Sequence, residues 1–246
     1  MVSIMVRHRQ LPPRPALALL LAMGAASFSS YRQDEEPTFR QEASELVAGE
    51  HVALAYSGFR KGQHPDRGEG AKNPSRAETL EDLRILVDHG VELVRLYDSG
   101  ENSAEVIHVI AEEKLPIQVL LGCWLKAEQS NHDRCAWLNS PIPATTLAEN
   151  RRVNALEIGR AIALARENPQ VVQAVNVGNE ALVEWNDHLV SLESVVAYVR
   201  TVKAAIRQPV TVADNWAWWT TEEGQRLARE VDFLGVRVLP RASVSS

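Results

Sequence analysis

Between residues 51 and 239, short β-branched or apolar runs alternate six times with stretches whose apolar residues recur at helical spacing. A chain with that rhythm is predicted to form a parallel sheet with helices outside it, joined by right-handed crossovers. The strand runs are HVALAY (51–56), ELVRLY (92–97), PIQVLL (116–121), 171–177 ending on VNV, PVTVA (209–213) and DFLGVRVL (232–239). The first helix covers 76–89, with Leu80, Leu83, Leu86 and Val87 on one face and Gly90 as its stop. Ser103 is expected to cap a second helix running to Lys114, and Thr146 or Asn150 to start a third that ends near Asn168. Ser191 opens a fourth to Arg207, and Thr221 a short fifth to Arg229. Periodicity alone does not separate an open doubly wound sheet from a closed barrel. The first strand–helix loop, SGFRKGQHPDRGEGAKNPS, lacks the GxGxxG fingerprint of dinucleotide-binding folds.

The chain has 246 residues, enough for one large domain or one α/β barrel. Its net charge of −6, without a basic stripe, argues against a nucleic-acid partner. It suits a neutral ligand. The N-terminus has the layout of a secretory signal peptide over 1–30: basic residues Arg7, His8, Arg9 and Arg14, the apolar run ALALLLAMGAA, then small residues through Ser30. That run falls short of the roughly 20 apolar residues that span a bilayer. Export to a periplasmic or extracellular space is expected, with no stable membrane insertion once the leader is cleaved. Residues 31–48 read as a linker. An oxidising compartment would permit a disulfide between Cys123 and Cys135. Free thiols come second. A metal site at His132 and Asp133 comes last, because no CxxC and no second His lie nearby.

In parallel α/β barrels, catalytic residues sit at the C-terminal ends of strands. Asn179 and Glu180 follow the fourth strand run, with Gly178 expected to stop it. Tyr97, Asp98 and the mid-strand Arg95 belong to the second. Trp124 and Lys126 follow the third; Asp214, Asn215, Trp216, Trp218 and Trp219 follow the fifth. Acids, amides and tryptophans at one end of a sheet suit sugars, which need flat apolar faces and fixed polar groups. Glu180 is the candidate general acid/base, weighed against a solvated Glu at a helix start. Asn179, Arg95, Tyr97, Asp98, Asp214, Asn215, Trp216 and Trp219 are the candidate substrate-binding residues. For Asp98 and Asp214 the competing role is capping. For the tryptophans it is a wedge in the core, and at least one is expected to be structural. Arg95 is expected to hold a carboxylate such as Glu180 or Asp98. Lys126 and Glu184 read as surface residues.

In order along the chain, AYSGFRKGQHP, ELVRLYDS, VLLGCWLKAE, VNVGNEALVEW, TVADNWAWW and VDFLGVRVLP resemble the bacterial branch of glycoside hydrolase family 17. The resemblance implies a (β/α)8 TIM-barrel fold with about six of eight strand–helix units present, over an incomplete domain at 49–240. It implies a retaining hydrolase or transglycosylase acting on β-1,3-glucan. Asn179 and Glu180 match the family's Asn and its acid/base Glu. No metal or organic cofactor is needed for this chemistry, and no motif asks for one.

Two departures follow from the same comparison. Arg237 stands where the family carries His, and RASVSS (241–246) diverges from it. The family's nucleophile, a Glu at the end of a seventh strand, has no match before the last residue. A truncated reading frame and impaired activity are therefore expected. The alternative is a barrel that binds β-glucan without cleaving it, or a relic of one. A barrel enzyme using Arg95 and Lys126 on an anionic substrate is a third reading. Net charge and the tryptophans oppose it.

Overall fold

The computed structural model of this chain describes residues 2–5, 52–66 and 69–237. Seven strands form one sheet: β1 (Val2–Met5), β2 (Val52–Ala55), β3 (Val91–Arg95), β4 (Gln118–Cys123), β5 (Val172–Asn179), β6 (Val210–Asn215) and β7 (Phe233–Arg237). The helices are α1 (Arg76–Asp88), α2 (Glu101–Glu112), α3 (Ala144–Glu167), α4 (Leu192–Ala205) and α5 (Glu222–Leu227). The sheet order is β1-β7-β6-β5-β4-β3-β2. From β2 to β7 each strand pairs in parallel with its successor, and β1 pairs antiparallel with β7. This is the (β/α) barrel type of sheet with six parallel strands.

Both faces of the sheet are covered, which explains why the strands read as apolar runs rather than alternating ones. The helix-facing side belongs to a large core that includes Val94, Val119, Leu121, Val175 and Val212. The other face carries a small separate cluster of Leu93, Leu120, Ala174 and Phe233. Arg95 lies two residues after Leu93, so strand alternation puts it on this second face.

Helix starts follow local chemistry. Ser75 and Glu78 form a reciprocal capping box at α1. Ser191 accepts from Ser194 N–H at the start of α4, and Thr221 from Gly224 N–H at α5. Ser103 is not the cap of α2. That helix starts two residues earlier, behind Gly100, whose N–H donates to Asp98 Oδ1 at 2.8 Å. No side chain caps the first turn of α2, and the Ser103 hydroxyl donates to Asp98 Oδ1 instead. Helix α3 likewise starts at Ala144, before Thr146 and Asn150, with Pro143 as its first flanking residue.

The expected leader falls outside the described residues except for Val2–Met5, which the structure places on the β7 edge. The expected linker (31–48) and divergent tail (241–246) lie wholly outside them. Among the described residues no helix is long and apolar enough to cross a membrane. Cys123 and Cys135 are both buried, and the expected disulfide is not formed. Cys123 is part of the main core, where burial pushes its thiol well above the usual range; Cys135 lies outside that cluster.

Candidate active site

The site is built on β5. Gly178 does not stop this strand: it adopts φ +87° and the strand continues through Asn179. The β5–β6 register is irregular between Asn176 and Asn179. Without that irregularity, residues 174, 176 and 178 would share the inner face and Asn179 would turn toward the helices. With it, Asn179 Oδ1 accepts a 2.7 Å hydrogen bond from Arg95 Nη2 in the buried interior.

Glu180 follows in the left-handed region at φ +49°, where a non-glycine residue is strained by about 1–3 kcal/mol. Neighbouring groups hold it there. Its N–H donates to Ala213 O at 2.8 Å, and its own carbonyl accepts from Asn186 Nδ2 at 2.9 Å. Its carboxylate pairs with Arg237 at the end of β7. The Glu180 side chain is 9% exposed and that of Arg237 40% exposed, so the pair sits at the rim.

Arg95 was expected to hold a carboxylate; its hydrogen bond goes instead to the Asn179 amide. The guanidinium lies over the Tyr97 ring, 4.9 Å from its centroid. Burial lowers its pKa, Tyr97 and Glu180 oppose that, and Arg237 adds to it. Asp98 is occupied by Gly100 N–H and the Ser103 hydroxyl, in a local turn at the start of α2. Asp214 is fully buried, with one oxygen accepting from Leu182 N–H at 3.0 Å and the other from Asn215 N–H at 2.7 Å. It braces the chain after Glu180 and is not presented to solvent. Burial pushes its carboxyl up to about 7, against those two hydrogen bonds; Glu180 adds to the rise and His188 opposes it.

Asn215 turns its side-chain oxygen to Ala217 N–H at 2.9 Å. Trp216 is 57% exposed and stands free as an aromatic face. Trp218 and Trp219 are buried edge to face, and Trp219 Nε1 donates to Gly235 O at 2.9 Å, so both wedge the core. Lys126 and Glu184 are exposed, Glu184 in an ion pair with Arg134.

Sequence reasoning missed three residues that shape this end of the sheet. Glu157, on α3 and buried, accepts from Ser99 N–H at 2.7 Å and Trp124 N–H at 3.0 Å, tying two strand-end loops to one helix. Asn186 and His188 reach back to the carbonyls of Glu180 and Asn179. No spacing rule announces such contacts, because each closes a loop of its own length. A groove of about 500 Å³ lies beside the site, between the starts of α4 and α5, with Trp185, Trp218, Glu184 and Glu193 in its wall. Among the described residues, no group of three or more His, Cys, Asp or Glu is placed to hold a metal ion.

No protein-family model and no curated protein matches the chain. Among solved structures it is similar to an endo-laminarinase from Formosa, with a TM-score of 0.61 and 25% identity over 76% of this chain and 49% of that one. It is also similar to a glycoside hydrolase family 17 β-1,3-glucanosyltransferase from Rhizomucor miehei, with a TM-score of 0.52 and 15% identity. An active-site mutant of a Rhizomucor miehei β-1,3-glucanosyltransferase, in complex with laminaritriose, matches at a TM-score of 0.52 and 17% identity, over 76% of this chain and 57% of that one. The chain thus spans about half the length of the structures it resembles.

Proposed function

We infer that this glycoside hydrolase family 17-like chain is built to bind β-1,3-glucan, with Glu180 as the general acid/base of a retaining hydrolase or transglycosylase. The observation that carries the reading is the Arg95–Asn179–Glu180 constellation at the C-terminal end of a parallel strand. Asn179 is locked by the 2.7 Å bond from Arg95, and Glu180 is fixed on a strained corner at the rim. Strained backbone persists where the surroundings over-determine it, and such positions cluster at functional sites. The exposed face of Trp216 supplies the flat apolar surface that a sugar ring needs. The likeness to an endo-laminarinase points to the same substrate class.

Retention requires a second carboxylate about 5–5.5 Å from the first. Asp214 is a poor candidate, since both of its oxygens already accept backbone N–H groups. Arg237 also occupies the Glu180 carboxylate. These two observations favour weak turnover by the chain alone, and they sustain the second reading, glucan binding without cleavage.

The test is activity of the purified chain on laminarin with product analysis, beside Glu180→Gln. Turnover lost in the variant supports the catalytic reading. Laminaritriose binding without turnover in either protein supports the binding reading. No binding and no turnover would sink both.

A further inference from the structure

The segment 186–190 folds back over the Asn179–Glu180 corner. Asn186 Nδ2 donates to Glu180 O at 2.9 Å, and Val190 N–H donates to Ala181 O at 2.7 Å. Between them, His188 Nε2 lies 2.9 Å from Asn179 O, and its Nδ1 lies 2.9 Å from Asp187 Oδ1. The two partners, a carbonyl and a carboxylate, can only accept. The bond to Asn179 O therefore needs the ring proton on Nε2. Its side chain is 12% exposed and its ring is tilted against Trp124, with centroids 4.8 Å apart. Trp124 is held in turn by Glu157.

We propose that His188 is a positioning residue: donating from Nε2, it ties the Asn179 carbonyl to the 186–190 segment and sets the peptide plane from which Glu180 projects. The Asn179 carbonyl and the Glu180 N–H share that plane. A tilt of the plane therefore moves Glu180 relative to Arg95 and Trp216 without touching either. The Trp124 ring seals one side of the imidazole. The consequence for glucan rests on the reading of Glu180 given above; the placement of the corner does not.

Nitrogen-15 NMR of the full-length chain separates the two. In the wild type the His188 ring is expected to carry a proton on Nε2, the nitrogen that faces Asn179 O; a bare Nε2 overturns the proposal. Three substitutions then grade the bond. In His188→Gln the amide nitrogen falls near the place of Nε2 and can still donate to Asn179 O. In His188→Asn it falls near Nδ1 and cannot, and His188→Leu loses both bonds. The backbone amide signal of Glu180 should stay near its wild-type position in Gln and move in Asn and Leu. Laminaritriose affinity should follow the same order, near wild type in Gln and weaker by about tenfold or more in Asn and Leu, as misplaced groups at a site commonly show. An equal change in all three variants would mean that the ring serves packing alone. If the wild type does not bind laminaritriose, the glucan reading fails, and the Glu180 amide signal still decides the role of His188. Should the Leu variant fail to fold, the Gln and Asn variants carry the comparison.

Discussion

Glu157 shows how much one buried carboxylate can organise. It accepts from Ser99 N–H and Trp124 N–H, on the loops that follow β3 and β4, while Arg160 meets its other oxygen at 2.5 Å. Glu157→Ala would leave two inward-facing N–H groups without an acceptor, at about 1–3 kcal/mol each. A loss of about 2–4 kcal/mol in urea unfolding is expected, where a surface glutamate would cost almost nothing. Asp214 makes a second prediction at this scale. Its carboxyl is raised from 3.8 to about 7 in the fold. Between those values the folded chain keeps a proton that the unfolded chain releases. Its contribution is full below the lower value and is lost as pH rises through the upper one. Stability should therefore fall with pH by up to about 1.4 kcal/mol per unit over that window. Asp214→Asn cannot release the proton, so its urea midpoint should change less steeply than the wild type's between about pH 5 and pH 7. Parallel curves would show that Asp214 does not titrate in this window.

Strand β4 runs tight against the end of β3. A Cβ added at Gly122 would lie 2.6 Å from the backbone carbonyl carbon of Tyr97, which cannot move without dragging β3. Gly122→Ala should destabilise the chain by about 1–3 kcal/mol and disturb the Arg95–Tyr97 stack, visible as a shift in the Tyr97 ring signals. Gly90→Ala meets no neighbouring atom, but φ is +74° there, so its cost should come from backbone strain alone. Elements of this kind were legible. The strands read as short unbroken apolar runs and the helix faces repeat at a period of 3.6 within a dozen residues, and Ser191 and Thr221 cap through atoms three residues away. The end of β5 was not legible. Gly178 looks like a terminator, yet pairing with β6 carries the strand one residue past it. Ser103 was misjudged because α2 already begins behind Gly100, so Ser103 lies inside its first turn and its hydroxyl donates to Asp98.

At the scale of the molecule, the sheet has two ends, β1 and β2. Edge strands offer unpaired N–H and C=O groups to any other strand. β2 reads VALA and is largely exposed, with Val52 54% exposed. The chain should self-associate as its concentration rises. Val52→Lys should shift it toward monomer in light scattering coupled to gel filtration; an unchanged mass would show that β2 is not the sticky edge. Export remains a proposal resting on residues 1–30, and N-terminal sequencing of the secreted protein would test it. By itself, the sequence determined the order and kind of the elements, the parallel sheet, the helix caps at Ser191 and Thr221 and the candidate pair Asn179 and Glu180, because those signals are local. The tertiary structure alone decided what the side chains do. Arg95 met Asn179 across 84 residues of chain, Asp98 and Asp214 turned to backbone N–H groups, and Trp219 went inward. Each of those outcomes depends on which strand end lies beside which loop, and only the assembled sheet brings them together.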